Sequence, residues 1–287
     1  MRTAQERFGF AGYLLFAFAA VSVQVALPTE AQSAYATVAI LAMGATAALT
    51  QRLAFRQRIR DMGFRLGRNV AIGVTVGLAY TALIALVHYA LPVALGAPEI
   101  SANPAVAHEA DGTPDLLTAF VMLACGGGIL FLAALFGEEL AFRGFVLPKL
   151  VHRFGPVRGV LVTAVIFGLW HLPFYFSLYE GGASEGGVTL IVTMLLAHTV
   201  SSIPLAILYL TTRELYGVSL LHGLIDAVQY TVIGNAAFGQ LSDAAVYQMT
   251  VTDEALVEIL TWLAYALEIG AMLAMCRLAR RFVKPEA

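Results

Sequence analysis

Windows of about twenty apolar residues recur along this chain near 8–27, 34–50, 70–93, 116–137, 159–178, 188–210, 215–234 and 256–276. Each is close to the length a helix needs to cross a hydrocarbon core about 30 Å thick. Inside that core every backbone N–H and C=O must be satisfied within the chain, which leaves helices or closed barrels. Runs this long, without polar alternation, select the helix. Composition agrees: 59% of the 287 residues are hydrophobic and 13% charged, where soluble domains carry about 25% charged residues. The expected fold is an all-α polytopic membrane helical bundle of about eight transmembrane helices, forming one integral membrane domain over 1–287. The second window is short, and the fourth can run on as a helix to about residue 150. No internal repeat, low-complexity tract or soluble domain interrupts the pattern.

Charge placement provides a second test. Arg2 and Arg7 precede the first window, Arg52, Arg56, Arg58, Arg60, Arg65 and Arg68 fill the second-to-third connection, and Lys149, Arg153 and Arg158 follow the fourth. Arg213 follows the sixth, and Arg277, Arg280, Arg281 and Lys284 follow the eighth. The alternate connections, near 28–33, 94–115, 179–187 and 235–255, hold no Lys or Arg. Cytoplasmic loops carry the excess of basic residues, so both termini are expected in the cytoplasm. An alanine- and arginine-rich chain of this kind points to a prokaryotic plasma (inner) membrane. A cleaved signal peptide ending at Ala34-Tyr35-Ala36 is the alternative for the N-terminus, but the cut would remove the start of the second span.

The basic 51–69 connection, interleaved with Leu53, Phe55, Ile59 and Phe64, suits a helix lying on an anionic inner leaflet, or simple topogenic charge, better than nucleic-acid binding. Cys125 and Cys276 lie in different environments and are expected to pack, without a disulfide or zinc cluster. A lipidated Cys276 is a remote alternative. Gly73-Val74-Thr75-Val76-Gly77 and Gly126-Gly127-Gly128 allow close helix approach. Within a bundle this reads as intramolecular packing.

Against this background Gly137-Glu138-Glu139-Leu140-Ala141-Phe142-Arg143 stands out. An ionised group near a helix centre costs roughly 2.5–3.5 kcal/mol on insertion scales, and here three are kept together. Glu139 and Arg143 are four apart, the spacing and order of an acidic-to-basic helical pair. Glu138, about 100° round the helix, has no such partner in its own segment. A partly desolvated carboxylate of this kind can serve as a general base. The bland alternative is an interfacial group wetted by headgroups. His171 and His222 weigh against it, because both sit among apolar residues on later spans, and Asp226 lies four residues beyond His222 on the same face. His88 and His198 are also intramembrane but have no charged residue within a turn, so they read as packing groups. His108 and His152 fall in connections.

At these residues the chain resembles the CPBP intramembrane proteases, which include the type II CAAX prenyl endopeptidases and bacterial bacteriocin-processing and immunity proteins. Glu138, Glu139 and Arg143 match a Glu-Glu-x-x-x-Arg motif, Phe167 and His171 match Phe-x-x-x-His, and His222 and Asp226 match His-x-x-x-Asn in part. The likeness covers roughly 115–235. It implies an intramembrane endopeptidase opening toward the cytoplasm, in which Glu138 and His171 activate a water while His222 and residue 226 stabilise the oxyanion. Glu139 and Arg143 would support the helix, with Phe167. The departure is Asp226. An ionised Asp cannot donate to an oxyanion, so it must either be protonated or accept from His222 and orient its ring.

The family has been described both as metal-dependent and as glutamate-type. Glu138, His171 and His222 could form a two-histidine, one-carboxylate zinc site. No His-Glu-x-x-His is present, and the expectation is that no cofactor is required, with zinc as the alternative. The expected partners are membrane lipids and a peptide or membrane-protein substrate, with no nucleic acid. Gly217-Val218-Ser219 faintly resembles a serine nucleophile motif, but no later span supplies a histidine. Two other functions remain open. One is a proton-coupled transporter, which would show broken helices in both halves. The other is a catalytically inactive immunity or scaffold member of the same fold. One difficulty concerns depth. With the fifth span starting near Gly159, His171 lies about 18 Å along it, while Glu138 nominally sits at the inner end of the fourth. Either that helix is displaced or tilted, or a water-filled cavity opens inward.

Overall fold

The computed structural model describes residues 3–27, 29–103, 116–178, 186–235 and 245–283. The chain is an all-α membrane bundle. Helices α1 (Ala4–Ser22), α2 (Thr29–Leu53) and α3 (Arg68–Ile84) come first, and α3 continues through a π-helical Ala85–Ala90 into α4 (Leu91–Ala94). Next is α5 (Leu116–Ala133), which passes through two π-helical stretches, Ala134–Glu138 and Leu140–Val146, into α6 (Leu147–Phe154). The remaining helices are α7 (Pro156–Leu178), α8 (Gly187–Thr212), α9 (Tyr216–Ala227, continued by a π-helical Val228–Val232) and α10 (Glu254–Ala279).

Seven helical runs among the described residues are long and apolar enough to cross a membrane. The expected eighth, 215–234, is present as a shorter helical run, α9 with its π-helical continuation to Val232, at the lower end of the spanning range, and the chain turns extended at Ile233. Three short strands were also not anticipated. β1 (Pro98–Ala102) pairs antiparallel with β3 (Tyr247–Val251), and β2 (Ile233–Asn235) pairs parallel with it. They collect at the end of the bundle where α4 and α9 leave off, so the connections outside the helices satisfy their backbone by pairing. His108 and much of the connections near 94–115, 179–187 and 235–255 lie outside the described residues, as do Arg2 and Lys284.

The basic connection is not a surface helix. Its helical content is one short 3₁₀ turn, Ile59–Met62, ended by Gly63 at φ 115°, a left-handed conformation suited to glycine. The aromatics point inward: Phe55 meets Phe145 edge-on at 5.5 Å, and Phe64 lies 6.2 Å from both Phe136 and Tyr216. Met62 is fully buried.

Glycines set the helix spacing around α9. A Cβ at Gly217 would lie 2.3 Å from the Gly73 carbonyl carbon, and one at Gly77 would lie 3.0 Å from the Gly217 carbonyl oxygen. On the other flank a Cβ at Gly223 would meet the Phe131 nitrogen at 2.5 Å. The small-xxx-small pattern of α3 thus serves packing within the chain. Both cysteines are free, and Cys276 is buried.

Candidate active site

The helical run Leu117–Phe154 is 38 residues long, and Glu138 lies near its middle. The helix bearing the carboxylates runs on as α6, so Glu138 lies well inside one helical run and not at its end. The stretch around the carboxylates is wound as π-helix, a form found in short pieces and often at functional sites. Gly137 allows the close approach to α2 here, because a Cβ would sit 2.2 Å from Ile40 Cγ2.

Glu139 and Arg143 are both completely buried. Arg143 Nη1 donates to Glu139 Oε1 at 3.0 Å, and Nη2 donates to Ser202 on α8, to Oγ at 2.9 Å and the carbonyl at 3.3 Å. The guanidinium carbon lies 4.5 Å from the centre of the Phe167 ring. One arginine thereby ties the π-helical stretch to α8 and α7, and a buried charge is matched by charge, dipole and ring face.

Glu138 is left over from this network. Its Oε2 is buried without a hydrogen-bond partner, 3.8 Å from His171 Nε2 and 3.9 Å from His222 Nε2. Both rings are held by their other nitrogen. A carbonyl oxygen only accepts, so His171 Nδ1 donates to Phe167 O at 2.8 Å. His222 Nδ1 donates to Glu139 Oε1 at 2.6 Å. The two Nε2 atoms are therefore turned toward one carboxylate oxygen from α7 and α9.

Asp226 Oδ2 lies 3.5 Å from His222 Nε2, on the same nitrogen that faces Glu138. The ring-orienting acceptor is Glu139, at Nδ1. Sequence spacing left that role open to Asp226, four residues away, and could not point to Glu139, 83 residues away in the chain.

Two histidines read as packing groups make polar contacts that had no strong sequence signal. His198 on α8 packs its ring 4.3 Å from the ring of His171. Its Nδ1 donates to Met194 O at 3.1 Å, and Tyr175 Oη lies 2.9 Å from its Nε2. Its position facing the Phe-x-x-x-His segment could have been found only by pairing α7 with α8. His88, also read as packing, meets Glu268 of α10 at 2.8 Å, with Tyr80 donating to the same carboxylate at 3.4 Å. That pair lies outside the motif-bearing helices.

Among the described residues no group of three or more His, Cys, Asp or Glu side chains is placed to hold a metal ion. Tetrahedral zinc with bonds of about 2.0 Å sets its ligand atoms roughly 3.3 Å apart. The Glu138–His171 and Glu138–His222 separations of 3.8 and 3.9 Å are wider. The arrangement therefore gives the zinc set Glu138, His171 and His222 no support.

Residues 120–228 match the family model described as type II CAAX prenyl endopeptidase Rce1-like. The match spans all three motifs and supports the resemblance to the CPBP proteases. No curated protein and no solved structure matches the chain.

Proposed function

From a membrane protein that carries an Rce1-like domain across its buried carboxylates and histidines, we propose that the chain is an intramembrane endopeptidase of glutamate type. Its active site would open toward the cytoplasm, and its substrates would be membrane-associated peptides or proteins. The observation that carries this reading is the convergence of Glu138 Oε2 with the Nε2 atoms of His171 and His222. Contacts of this length between polar groups are suited to an intervening water.

In the proposed reaction the water between Glu138 and His171 loses a proton to Glu138 as its oxygen attacks the peptide carbonyl. The same proton then passes to the leaving amine. His222, protonated on both nitrogens and fixed through Nδ1 by Glu139, donates its Nε2–H to the oxyanion together with Asp226. Because Glu139 already orients the ring, Asp226 is free to act as a protonated donor. Two carboxyl groups facing one imidazole nitrogen share a proton more readily than they share a negative charge.

Asp226→Asn separates this role from ring orientation. The amide supplies the same donor, so cleavage by the purified variant should equal or exceed that of the parent. A drop of orders of magnitude, with the fold intact, would return the orienting role to Asp226. The same assay tests the metal-free chemistry. Protein stripped by chelation should keep its activity, while loss on chelation and recovery with zinc would replace the glutamate mechanism.

The orientation follows from the charge map. Cysteine labelling in intact cells should place both termini and the 51–69 connection in the cytoplasm, and a reproducible external signal from that connection would overturn the cytoplasmic opening.

A further inference from the structure

At the boundary where α2 ends at Leu53 and α3 begins at Arg68, Arg58, Arg60, Asp61, Phe64, Arg65 and Leu66 line an open recess of about 400 Å³. That falls within the range of small-ligand sites, about 300–1,000 Å³. Arg65 Nη2 lies 2.9 Å from Asp61 Oδ1, and Arg58 Nε and Arg60 Nε each lie 3.9 Å from the same carboxylate. The hydrogen bond from Arg65 and the charges of Arg58 and Arg60 hold Asp61 below the usual carboxylate range, so it is ionised at neutral pH. Beyond the bonded Asp61–Arg65 pair, Arg58 and Arg60 give the lining of the recess its excess positive charge.

Exposed apolar side chains border these cations. Leu66 is 84% exposed and Ile59 43%. A soluble anion has no use for them, whereas a phosphate with acyl chains attached matches both halves of the surface. The frame beneath is fixed. Tyr209 Oη donates to Met62 O at 3.1 Å, Leu215 N donates to Gly63 O at 3.1 Å, and Phe64 packs on Phe136 and Tyr216. We propose that the recess of Arg58, Arg60 and Arg65 is a binding site for the phosphate of an anionic phospholipid, with Ile59 and Leu66 seated in the adjoining acyl boundary.

The test is a titration of the purified full chain in neutral detergent with fluorescent phosphatidylglycerol. Phosphatidylcholine and inorganic phosphate serve as competitors. Phosphatidylglycerol should bind saturably, and neither competitor should displace it. Each arginine near an anionic surface contributes about fivefold, so Arg58→Gln with Arg60→Gln should weaken binding roughly thirtyfold. Arg277→Gln with Arg281→Gln removes the same charge elsewhere and should change binding by less than about threefold. Asp61→Asn should tighten binding several-fold, because the carboxylate competes with the phosphate for the same guanidiniums. A carboxylate that merely held the loop would give the opposite sign. Equal losses in the two double variants would overturn the site, and displacement by inorganic phosphate would replace the lipid with a free anion.

Discussion

Glu138→Gln should abolish peptide cleavage by the purified protein while leaving its elution profile and melting temperature unchanged. The amide keeps the shape and volume of the side chain but cannot take a proton from water. General-base assistance is worth about 10²–10⁴-fold, and Glu138 would also deliver the proton to the leaving amine, so the loss should reach the upper end of that range. The fold should survive because Glu138 Oε2 makes no hydrogen bond that the amide would break. Removing a carboxylate also spares the bundle a buried charge. Full activity in this variant, prepared free of wild type, would end the glutamate-base reading. A variant that fails to fold would show that Glu138 holds the bundle together, which its lack of a hydrogen bond does not suggest.

The second large effect concerns Arg143. Arg143→Ala leaves Glu139 charged, fully buried and without its cation, and breaking a buried pair in this way typically costs about 3–5 kcal/mol. The expected result is a collapse in folded yield by fluorescence-detected size exclusion, with activity falling in proportion. Arg143→Lys should rescue little. A single ammonium cannot reach Glu139 and Ser202 together while lying against Phe167, as the planar guanidinium does. Glu139→Gln with Arg143→Met removes both charges and should recover part of the yield, but not the cleavage, since His222 Nδ1 would lose its carboxylate acceptor. A well-folded Arg143→Ala protein without activity would move Arg143 from the frame to the chemistry.

Much of this was legible in the sequence. The helical class follows from run length, and the grouping of Glu138, Glu139, Arg143, His171, His222 and Asp226 follows from charges kept where charges are costly. The structure brings these six residues together on the helical run 117–154, α7 and α9. What the sequence did not convey has physical causes. The π-helical winding around Glu138 differs from α-helix by one hydrogen-bond step and leaves no mark on hydropathy. The bond from His222 to Glu139 joins segments far apart in the chain, and local spacing offered only Asp226 as a partner for the ring. His198 has no charged neighbour within a turn, so nothing in α8 distinguished it from a packing histidine until α7 was laid against it. The basic connection has the composition of an amphipathic surface helix, but Gly63 turns it left-handed and Phe55 and Phe64 fold inward. The eighth span is legible as an apolar run, but apolar length does not register that its helix gives way to extended backbone at Ile233.

The glycine contacts on both flanks of α9 have a dynamic consequence. Where side chains line a cleft, a rotamer change within nanoseconds can admit a bulky group. Around Gly217 and Gly223 main chain lies directly against main chain, and main chain has no rotamers to change. Any widening next to His222 and Asp226 therefore requires a whole helix to shift, a motion on the microsecond-to-millisecond scale. For a substrate too large for the resting bundle, passage in and out would then set the turnover rate, and the bond-breaking step would be waiting on the helices.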